Sequence, residues 1–432
     1  MKTYKHYFLI FALLTFFIFP IYSFDLINHN LIDPFESGVE LNKFHKISDS
    51  EIISQKFYDD CTISLLTKSA GDAIYSWFGH SEILIETPTD SIIYDYGVFS
   101  FNSEKFYSNF AQGKMDYVLY TSYYKSSLYY SEKENRTVKK LKLNLSNAQK
   151  ASIISFLNYN SKIENRTYLY DFYKDNCATR IRDILSWTSD NDFKKWAQSQ
   201  PSNGSFRKLS NRSISRNLPI FFALNLIQGH NADTPTTLWD DMYLPSHLEA
   251  AVKQYNKIGS SEKILFTEDG SRFNISEKNN NHTIFFSIMA LILGIIALTF
   301  KRVKVIRNSR IFGIFNIIIL LLLTIFSFVM LYLTFFSGIY AGWRNENLIF
   351  LNPLTAMIAL TLAIRMLNKK KQPIKRVSQF ERICRWIADI IFVLFILKLI
   401  FPTQLYQNNL NIISPFFIFF ALQGFLFRSE KY

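Results

Sequence analysis

Apolar residues are concentrated at the N-terminus and in the last third of the chain. Each apolar stretch after residue 283 approaches the roughly 20 residues that a helix needs to span the hydrocarbon of a bilayer. These stretches predict five transmembrane helices, at 284–300, 311–336, 348–367, 386–401 and 412–427. In residues 1–24, Lys2 and Lys5 precede an apolar run of about fifteen residues, which is typical of a secretory signal peptide or signal anchor.

Basic residues between the apolar stretches predict how this region is oriented. Segments 301–310 and 369–385 hold twelve Lys and Arg residues against one acid, Glu381. With five spans both segments fall inside, in agreement with the enrichment of Lys and Arg on the cytoplasmic side, and the region before residue 284 lies outside. These segments account for most of the net charge of +13. No basic face remains elsewhere to indicate nucleic-acid binding.

The region between the signal segment and the first predicted span has a mixed pattern. Alternating positions predict strands at 61–66, 81–86 and 91–96, the last two joined by a turn at 87–90. Helical spacing predicts helices at 144–160, where Ser146 is a candidate N-cap, and at 178–187, 218–228 and 244–257. Residues 189–215 are predicted to form a loop. Residues 25–275 are therefore predicted to be an exported α+β domain.

Cys177 is the principal candidate for chemistry. Asp175 or Asn176 is a good N-cap, which would place Cys177 at the N-terminus of the following helix. Unpaired backbone N–H groups and the helix dipole stabilise a thiolate there, in a setting typical of a nucleophilic cysteine. A buried structural cysteine, or one bridged to Cys61, is the alternative. With only three cysteines in the chain, a disulfide scaffold is excluded.

A thiol nucleophile needs a general base. Of the four histidines in the exported part, His80 is the best candidate because it follows Gly79 and enters a predicted strand, although a core histidine would have the same pattern. Asp95, on the next strand, could orient the imidazole, and the neighbouring Tyr96 could instead contribute a hydroxyl. The other three histidines are His45, His230 and His247. No HExxH or paired-cysteine spacing indicates a metal site.

Seven segments of the chain together carry a family resemblance. They are 69–72 (SAGD), 77–81 (WFGHS), 94–99 (YDYGVF), 110–117 (FAQGKMDY), 170–180 (YDFYKDNCATR), 238–245 (LWDDMYLP) and 346–354 (ENLIFLNPL). In this order they resemble the Lnb family, the lipoprotein N-acyltransferases of Bacteroidota, whose extracytoplasmic region is the DUF4105 domain. The Gly79-His80-Ser81 and 175–180 segments are the specific ones.

The resemblance implies a fold and a site. The exported domain resembles a circularly permuted papain-like (NlpC/P60-related) thiol enzyme, in which the His-bearing strand precedes the Cys-bearing helix. His80 and Cys177 match the catalytic pair, and Asp95 is carried over as the third catalytic residue. Asn176, Tyr96 and Arg180 are predicted to bind substrate; pairing of Arg180 with acids on the helix surface is the alternative.

The resemblance also implies a reaction. An acyl chain moves from a phospholipid to the α-amine of the N-terminal, diacylglyceryl-modified cysteine of a lipoprotein, without a cofactor. The partners are diacylated lipoproteins and membrane phospholipids, and the location is the inner membrane with the catalytic domain in the periplasm. A membrane-anchored thiol peptidase or amidase acting on cell-wall peptides, or a non-catalytic membrane scaffold or sensor, remain alternatives.

Overall fold

The computed structural model describes residues 41, 43–99, 106–255, 257–269, 282–302, 306–368 and 373–425. They form two compact units. The sheet unit comprises the described residues up to Ile214 and from Thr234 to 269. The helical unit comprises Ser215–Asp233 and the described residues from 282 onward. Ser215–Asp233 therefore groups with the C-terminal helices, although it lies within 25–275, the range predicted for the exported domain. The predicted signal segment lies outside the described residues.

A seven-stranded antiparallel sheet organises the sheet unit. Its strand order is β6-β4-β3-β2-β1-β5-β9, and β7 and β8 form a separate pair. The strands are β1 (Thr62–Lys68), β2 (His80–Glu86), β3 (Ser91–Val98), β4 (Met115–Tyr123), β5 (Val138–Leu143), β6 (Thr167–Tyr170), β7 (Pro201–Ser205), β8 (Pro235–Thr237) and β9 (Gly259–Phe266).

The three predicted strands are confirmed as β1, β2 and β3, which lie next to one another in the middle of the sheet. β1 and β2 are buried along almost their whole length, because packed elements cover both faces of the sheet there. The predicted turn between β2 and β3 is also present: the Thr87 N–H donates to the Asp90 carbonyl at 2.8 Å.

Among the described residues as far as Gln254, ten helices accompany these strands. They are α1 (Gln55–Asp60), α2 (Phe106–Gln112), α3 (Tyr124–Lys133), α4 (Asn147–Asn160), α5 (Cys177–Thr188), α6 (Asp192–Ser199), α7 (Phe206–Ile214), α8 (Leu218–Ile227), α9 (Leu238–Asp241) and α10 (Pro245–Gln254). The predicted helices appear as α4, α5, α8 and α10. The Ser146 hydroxyl accepts a hydrogen bond from the Gln149 N–H at 3.2 Å and caps α4 as predicted.

The prediction of a loop at 189–215 is wrong, because this segment contains α6, β7 and α7. Each element is short and polar and buries few apolar side chains; α6 buries Phe193 and Ala197, one turn apart. Short elements of this kind are stabilised by tertiary packing. Their periodicity is lost when the sequence is read in windows of ten or more residues.

The helical unit contains α8 and five further helices. These are α11 (Thr283–Arg302), α12 (Ile306–Phe335), α13 (Pro353–Arg365), α14 (Pro373–Ile400) and α15 (Leu410–Phe425). Among the described helices, two segments are long and apolar enough to cross a membrane, Thr283–Phe300 and Arg310–Phe335. Only 17% and 28% of their most apolar windows are buried, unlike the core helix of a soluble protein.

The other three predicted spans do form helices, but they differ from the first two. α13 and α15 have 13 and 16 residues, about 20 and 24 Å at 1.5 Å per residue, short of a hydrocarbon core about 30 Å thick. The first half of α14 carries several charged side chains, including Glu381 and Arg385. The C-terminal region is therefore helical with two candidate spans.

Candidate active site

The start of α5 is fixed by Asn176. Its side-chain oxygen accepts hydrogen bonds from the N–H groups of Ala178 at 2.9 Å and Thr179 at 3.0 Å. The Thr179 hydroxyl in turn accepts from the Asn176 N–H at 2.7 Å, which completes a reciprocal cap. Cys177 is therefore the first residue of the helix, as predicted, and its side chain is only partly buried.

The capping role leaves Asn176 no polar atom for a substrate. Its side-chain N–H groups donate to the Phe172 carbonyl at 2.8 Å and to the Tyr243 carbonyl at 3.0 Å. A side-chain amide has two acceptor sites and two donor hydrogens, and all four are used here. We therefore assign Asn176 to the positioning of Cys177 instead of the predicted contact with substrate.

His80 is the first residue of β2 and lies between an acid and a thiol. Its Nε2 is 2.8 Å from the Asp95 Oδ1, and Cys177 is near enough to the ring to act on its pKa. Since Asp95 occupies Nε2, Nδ1 is the ring nitrogen left to meet the sulfur. The side chains of His80 and Asp95 are 18% and 19% exposed, so the pair is held in place yet reachable.

Two glycines allow this close approach. Gly79 has a φ of +83°, and a Cβ there would come within 2.8 Å of the Lys68 carbonyl oxygen. At Gly97, two residues beyond Asp95, a Cβ would lie 2.3 Å from Cε1 of His80. The Gly97 N–H also donates to the Asp95 Oδ1 at 2.6 Å. Any side chain at position 97 would therefore displace the imidazole.

The charges at this site support one another. Burial acts to lower the pKa of His80, but the Asp95 carboxylate and Cys177 outweigh burial and hold that pKa well above its ordinary value. Burial likewise acts to raise the pKa of Asp95, and the opposing effect of His80, assisted by Gly97 and Lys68, leaves it lowered. The arrangement favours an imidazolium bound to a carboxylate, which is the state that stabilises an adjacent thiolate.

A second acid, Glu82, raises the question of a metal. Its Oε1 is 3.9 Å from the His80 Nε2, and donor atoms of His80, Glu82 and Asp95 all lie within 4.8 Å of one another. The Lys68 ammonium, however, lies 2.6 Å from the same Glu82 oxygen and would repel a second cation. We therefore interpret these residues as a group for proton transfer.

Three tyrosines that the sequence analysis missed surround the sulfur. Burial is the main cause that raises the pKa values of the Tyr117, Tyr168 and Tyr170 phenols, and the charge of Cys177 contributes to all three. The rings of Tyr117 and Tyr170 stack at 4.0 Å. β4 pairs with β6, so alternate residues of the two strands lie on one face of the sheet. With only four residues, β6 is too short to show an alternation of polar and apolar positions in the sequence.

The two remaining predicted contacts with substrate have partners inside the protein. Arg180 donates to both Asp175 oxygens, at 2.5 and 2.6 Å, and stacks over the ring of Tyr168 at 4.3 Å. Tyr96 is 1% exposed and its hydroxyl donates to Asn160 at 2.6 Å. The acid that meets His80 is Asp95, so of the two alternatives the structure selects the carboxylate.

The structure also separates the alternatives for the other cysteines and histidines. All three cysteines are free, so Cys61 and Cys177 are not bridged. His45 pairs with Glu51 in an exposed position, whereas His230 is part of the helical unit. Burial lowers the pKa of His247, which keeps that imidazole neutral. His80 is the one of the four that the structure places at Cys177.

A cavity of about 730 Å³ adjoins the acid side of the site. Asp95, Glu82 and Lys68 contribute to its wall, together with Tyr120, Tyr123 and Tyr130. Asp95 thus borders both the imidazole and an open, mixed polar and aromatic space within the sheet unit.

Comparison with known proteins finds a protein family that resembles this domain. Residues 50–212 match the family model of the Lnb N-terminal periplasmic domain, and the matched range includes His80, Asp95 and Cys177. No curated protein and no solved structure matches the chain. An N-terminal domain of the Lnb periplasmic type, followed by a helical region with two candidate spans, is compatible with a membrane protein. The match supports the resemblance to the Lnb family found in the sequence.

Proposed function

We propose that this protein is a lipoprotein N-acyltransferase of the inner membrane that works through a thioester on Cys177. The observation that carries the proposal is the His80 imidazole bound to the Asp95 carboxylate, with Cys177 close to the same ring, in a domain that matches the Lnb periplasmic type. An imidazole in this position can accept the thiol proton and return it to a leaving group.

In the first half-reaction the Cys177 thiolate attacks the carbonyl carbon of a phospholipid ester. The new C–S bond forms, the negative charge passes to the carbonyl oxygen, and the N–H of Cys177 at the helix start is a donor suited to hold it. The C–O ester bond then breaks. The lysophospholipid leaves as an alcohol after it takes the proton from the His80 imidazolium.

In the second half-reaction the α-amine of the lipidated cysteine attacks the thioester carbonyl. The C–N amide bond forms, the C–S bond breaks, and His80, now neutral, accepts the proton that the amine loses. The thiolate and the imidazolium are thereby restored. Asp95 stays ionised throughout and orients the ring through its contact with Nε2.

The order of elements supports a circularly permuted papain-like fold, because the strand with His80 precedes the helix with Cys177 and α5 packs on β2 and β3. For the C-terminal region we propose five membrane spans, with α13, α14 and α15 added to the two candidate helices. The basic segments then lie in the cytoplasm and the sheet unit in the periplasm. Both lipid substrates are found in the leaflet that faces this compartment.

The test is mass spectrometry of the N-terminal peptide of a model lipoprotein, in a host that leaves lipoproteins diacylated. The wild-type protein should add one acyl chain, and Cys177→Ala should add none at equal abundance. Cys61→Ala, which removes a buried free cysteine, is the matched control and should still acylate. An active Cys177→Ala protein, or a wild type that cleaves cell-wall peptides and adds no acyl chain, would refute the proposal.

A further inference from the structure

Two buried charged residues, Glu82 and Lys68, lie directly beside the His80–Asp95 pair. Glu82 is two residues along β2 from His80, and residues at this spacing in a strand project from the same face of the sheet. Lys68 on β1 is the direct register partner of His80. Glu82 is 2% exposed and Lys68 is 8% exposed, so solvent screens neither charge well.

A closed set of hydrogen bonds fixes the Glu82 carboxylate. The Lys68 ammonium donates to its Oε1 at 2.6 Å and to the Ser127 hydroxyl on α3 at 2.9 Å. That hydroxyl donates to the other Glu82 oxygen, Oε2, at 2.9 Å. The Oε1 atom faces the His80 Nε2 at 3.9 Å, too long for a hydrogen bond but close enough for a strong interaction between charges.

We propose that Glu82 and Lys68 are positioning residues that set where the proton rests between His80 and Cys177, with Glu82 favouring the imidazolium and Lys68 offsetting part of that effect. As far as it concerns acyl transfer, this inference rests on the proposed function. The two residues act through His80, not through the substrate. The Glu82 carboxylate lies 3.9 Å from the ring nitrogen, and Lys68 is bound directly to that carboxylate.

The other groups that face His80 among the described residues come from two elements. Asp95 on β3 is hydrogen-bonded to the ring, and Cys177 on α5 is near enough to act on its charge. The tyrosines near the sulfur have raised pKa values and stay neutral over the range of the test. Lys68 is thus the cation on the same face that also stabilises the ionised form of Asp95.

A purely structural role for the pair makes a different prediction. Apolar side chains adjoin the pair on this face, since Leu66, Leu84 and Ile93 form a buried cluster there. Replacing a buried ion pair by apolar residues is often neutral or stabilising, whereas removal of one partner is costly. If the pair served only to join β1, β2 and α3, loss of either partner would weaken the site in the same direction.

The test uses the full-length protein in detergent with Cys177→Ala, so that His80 titrates without the thiol. The titration midpoint of its ring is followed by NMR of ring-labelled histidine. Glu82→Gln should shift the midpoint down by about one pH unit, as expected for a charge about 4 Å away, and Lys68→Met should shift it up. The double variant should return close to the value of the parent protein.

A second readout retains Cys177 and needs no acyl donor. The rate of alkylation of Cys177 by iodoacetamide at neutral pH is divided by its rate on the alkaline plateau, with the modified cysteine identified by peptide mass spectrometry. This ratio reports the fraction of thiolate that coexists with imidazolium. The ratio should fall several-fold in Glu82→Gln. In Lys68→Met it should rise, unless it is already close to one in the parent protein.

Shifts of the same sign in both single variants, or no shift in either, would overturn the inference. If Glu82→Gln does not accumulate, Lys68→Met alone decides, because a downward or absent shift contradicts the proposed role. The failure of the proposed function would look different. Opposite shifts at His80, together with a wild type that does not acylate lipoproteins, would keep the positioning role and reject the acyl transfer.

Discussion

Each of the two units buries a histidine beside a carboxylate, and the surroundings of the two pairs differ. In the sheet unit, the Nε2 of His80 lies 2.8 Å from Asp95, Cys177 is near the same ring, and the histidine side chain is 18% exposed. In the helical unit, the Nδ1 of His230 lies 3.2 Å from Glu346, and these side chains are 2% and 0% exposed. One pair borders a nucleophile and solvent, and the other is enclosed.

The contacts of Glu346 show what the second pair does. Its two oxygens accept from the Lys398 ammonium at 2.5 Å and from the Gln407 N–H at 3.1 Å, and its own N–H donates to the Gln407 side chain at 2.8 Å. These contacts join the turn Glu346–Ile349 to α14 and to the segment before α15. The same residue types therefore hold a fold together in one unit and border a nucleophile in the other.

The largest expected difference between the two histidines is in activity. His80→Ala should lower acylation by a hundredfold or more, since general acid–base catalysis contributes about 10² to 10⁴ in rate. His230→Ala should instead lower the melting temperature by several degrees, because it leaves part of a buried carboxylate unsatisfied at a cost of about 1–3 kcal/mol. Acylation assays and thermal scans of the same preparations measure both effects.

The comparison fails if His230→Ala abolishes acylation in protein that is fully folded, or if His80→Ala acylates normally. The first result would place the helical unit in the chemistry. The second would remove His80 from it.

The next effect tests how closely the imidazole must be placed. Gly97→Ala would put a Cβ 2.3 Å from His80 Cε1, so the ring must move. We expect acylation to fall by about tenfold to a hundredfold, the range that a misplacement of about 1 Å produces. Gly204→Ala is the matched control, because its Cβ would meet a rotatable hydroxyl, the Ser202 Oγ, at 3.1 Å.

Equal losses in Gly97→Ala and Gly204→Ala would show that the effect is a general one on stability. Circular dichroism of both variants, recorded with the acylation assay, separates misplacement of the ring from loss of fold.

The smallest effect is on stability as a function of pH. The raised pKa of His80 adds stability that is complete below about pH 6.5, the ordinary value, and is lost as pH rises through the folded value. The lowered pKa of Asp95 adds stability above about pH 3.9 that is lost as pH falls through its folded value. Wild type should therefore exceed His80→Gln in melting temperature by more at pH 6 than at pH 10.

A constant difference between the two melting curves from pH 6 to pH 10 would show that His80 does not gain a proton on folding. The expected gap is a few degrees, since about 1 kcal/mol shifts the melting temperature of a unit of about 150–250 residues by about 2–4 °C.

The sequence was informative where local chemistry decides the structure. The N-cap before Cys177, the alternation in β2 and β3 and the turn between them depend on neighbouring residues, and all three were predicted. The adjacency of β2 and β3 then brings Asp95 to His80, as their hairpin implies. The capping role of Asn176 also lies in its local sequence, although the prediction assigned that residue to substrate.

The remaining parts depend on contacts between distant segments. The three tyrosines around Cys177 come from β4 and β6, and the pairing of these strands is not visible in either segment alone. Glu82 could have been noticed, because a charged residue two positions after His80 interrupts an apolar strand on the same face. Its partner Lys68 becomes evident only when β1 is paired with β2.

The most direct measurement is the capture of the acyl-enzyme. The full-length protein is incubated with a phospholipid that carries a labelled acyl chain, in the absence of lipoprotein, and its cysteine peptides are analysed by mass spectrometry. We predict one acyl chain on Cys177, released by hydroxylamine, reduced in His80→Ala and unchanged in Cys61→Ala. An acyl chain on Cys61, or no acylated cysteine in a preparation that acylates lipoproteins, would contradict the thioester mechanism.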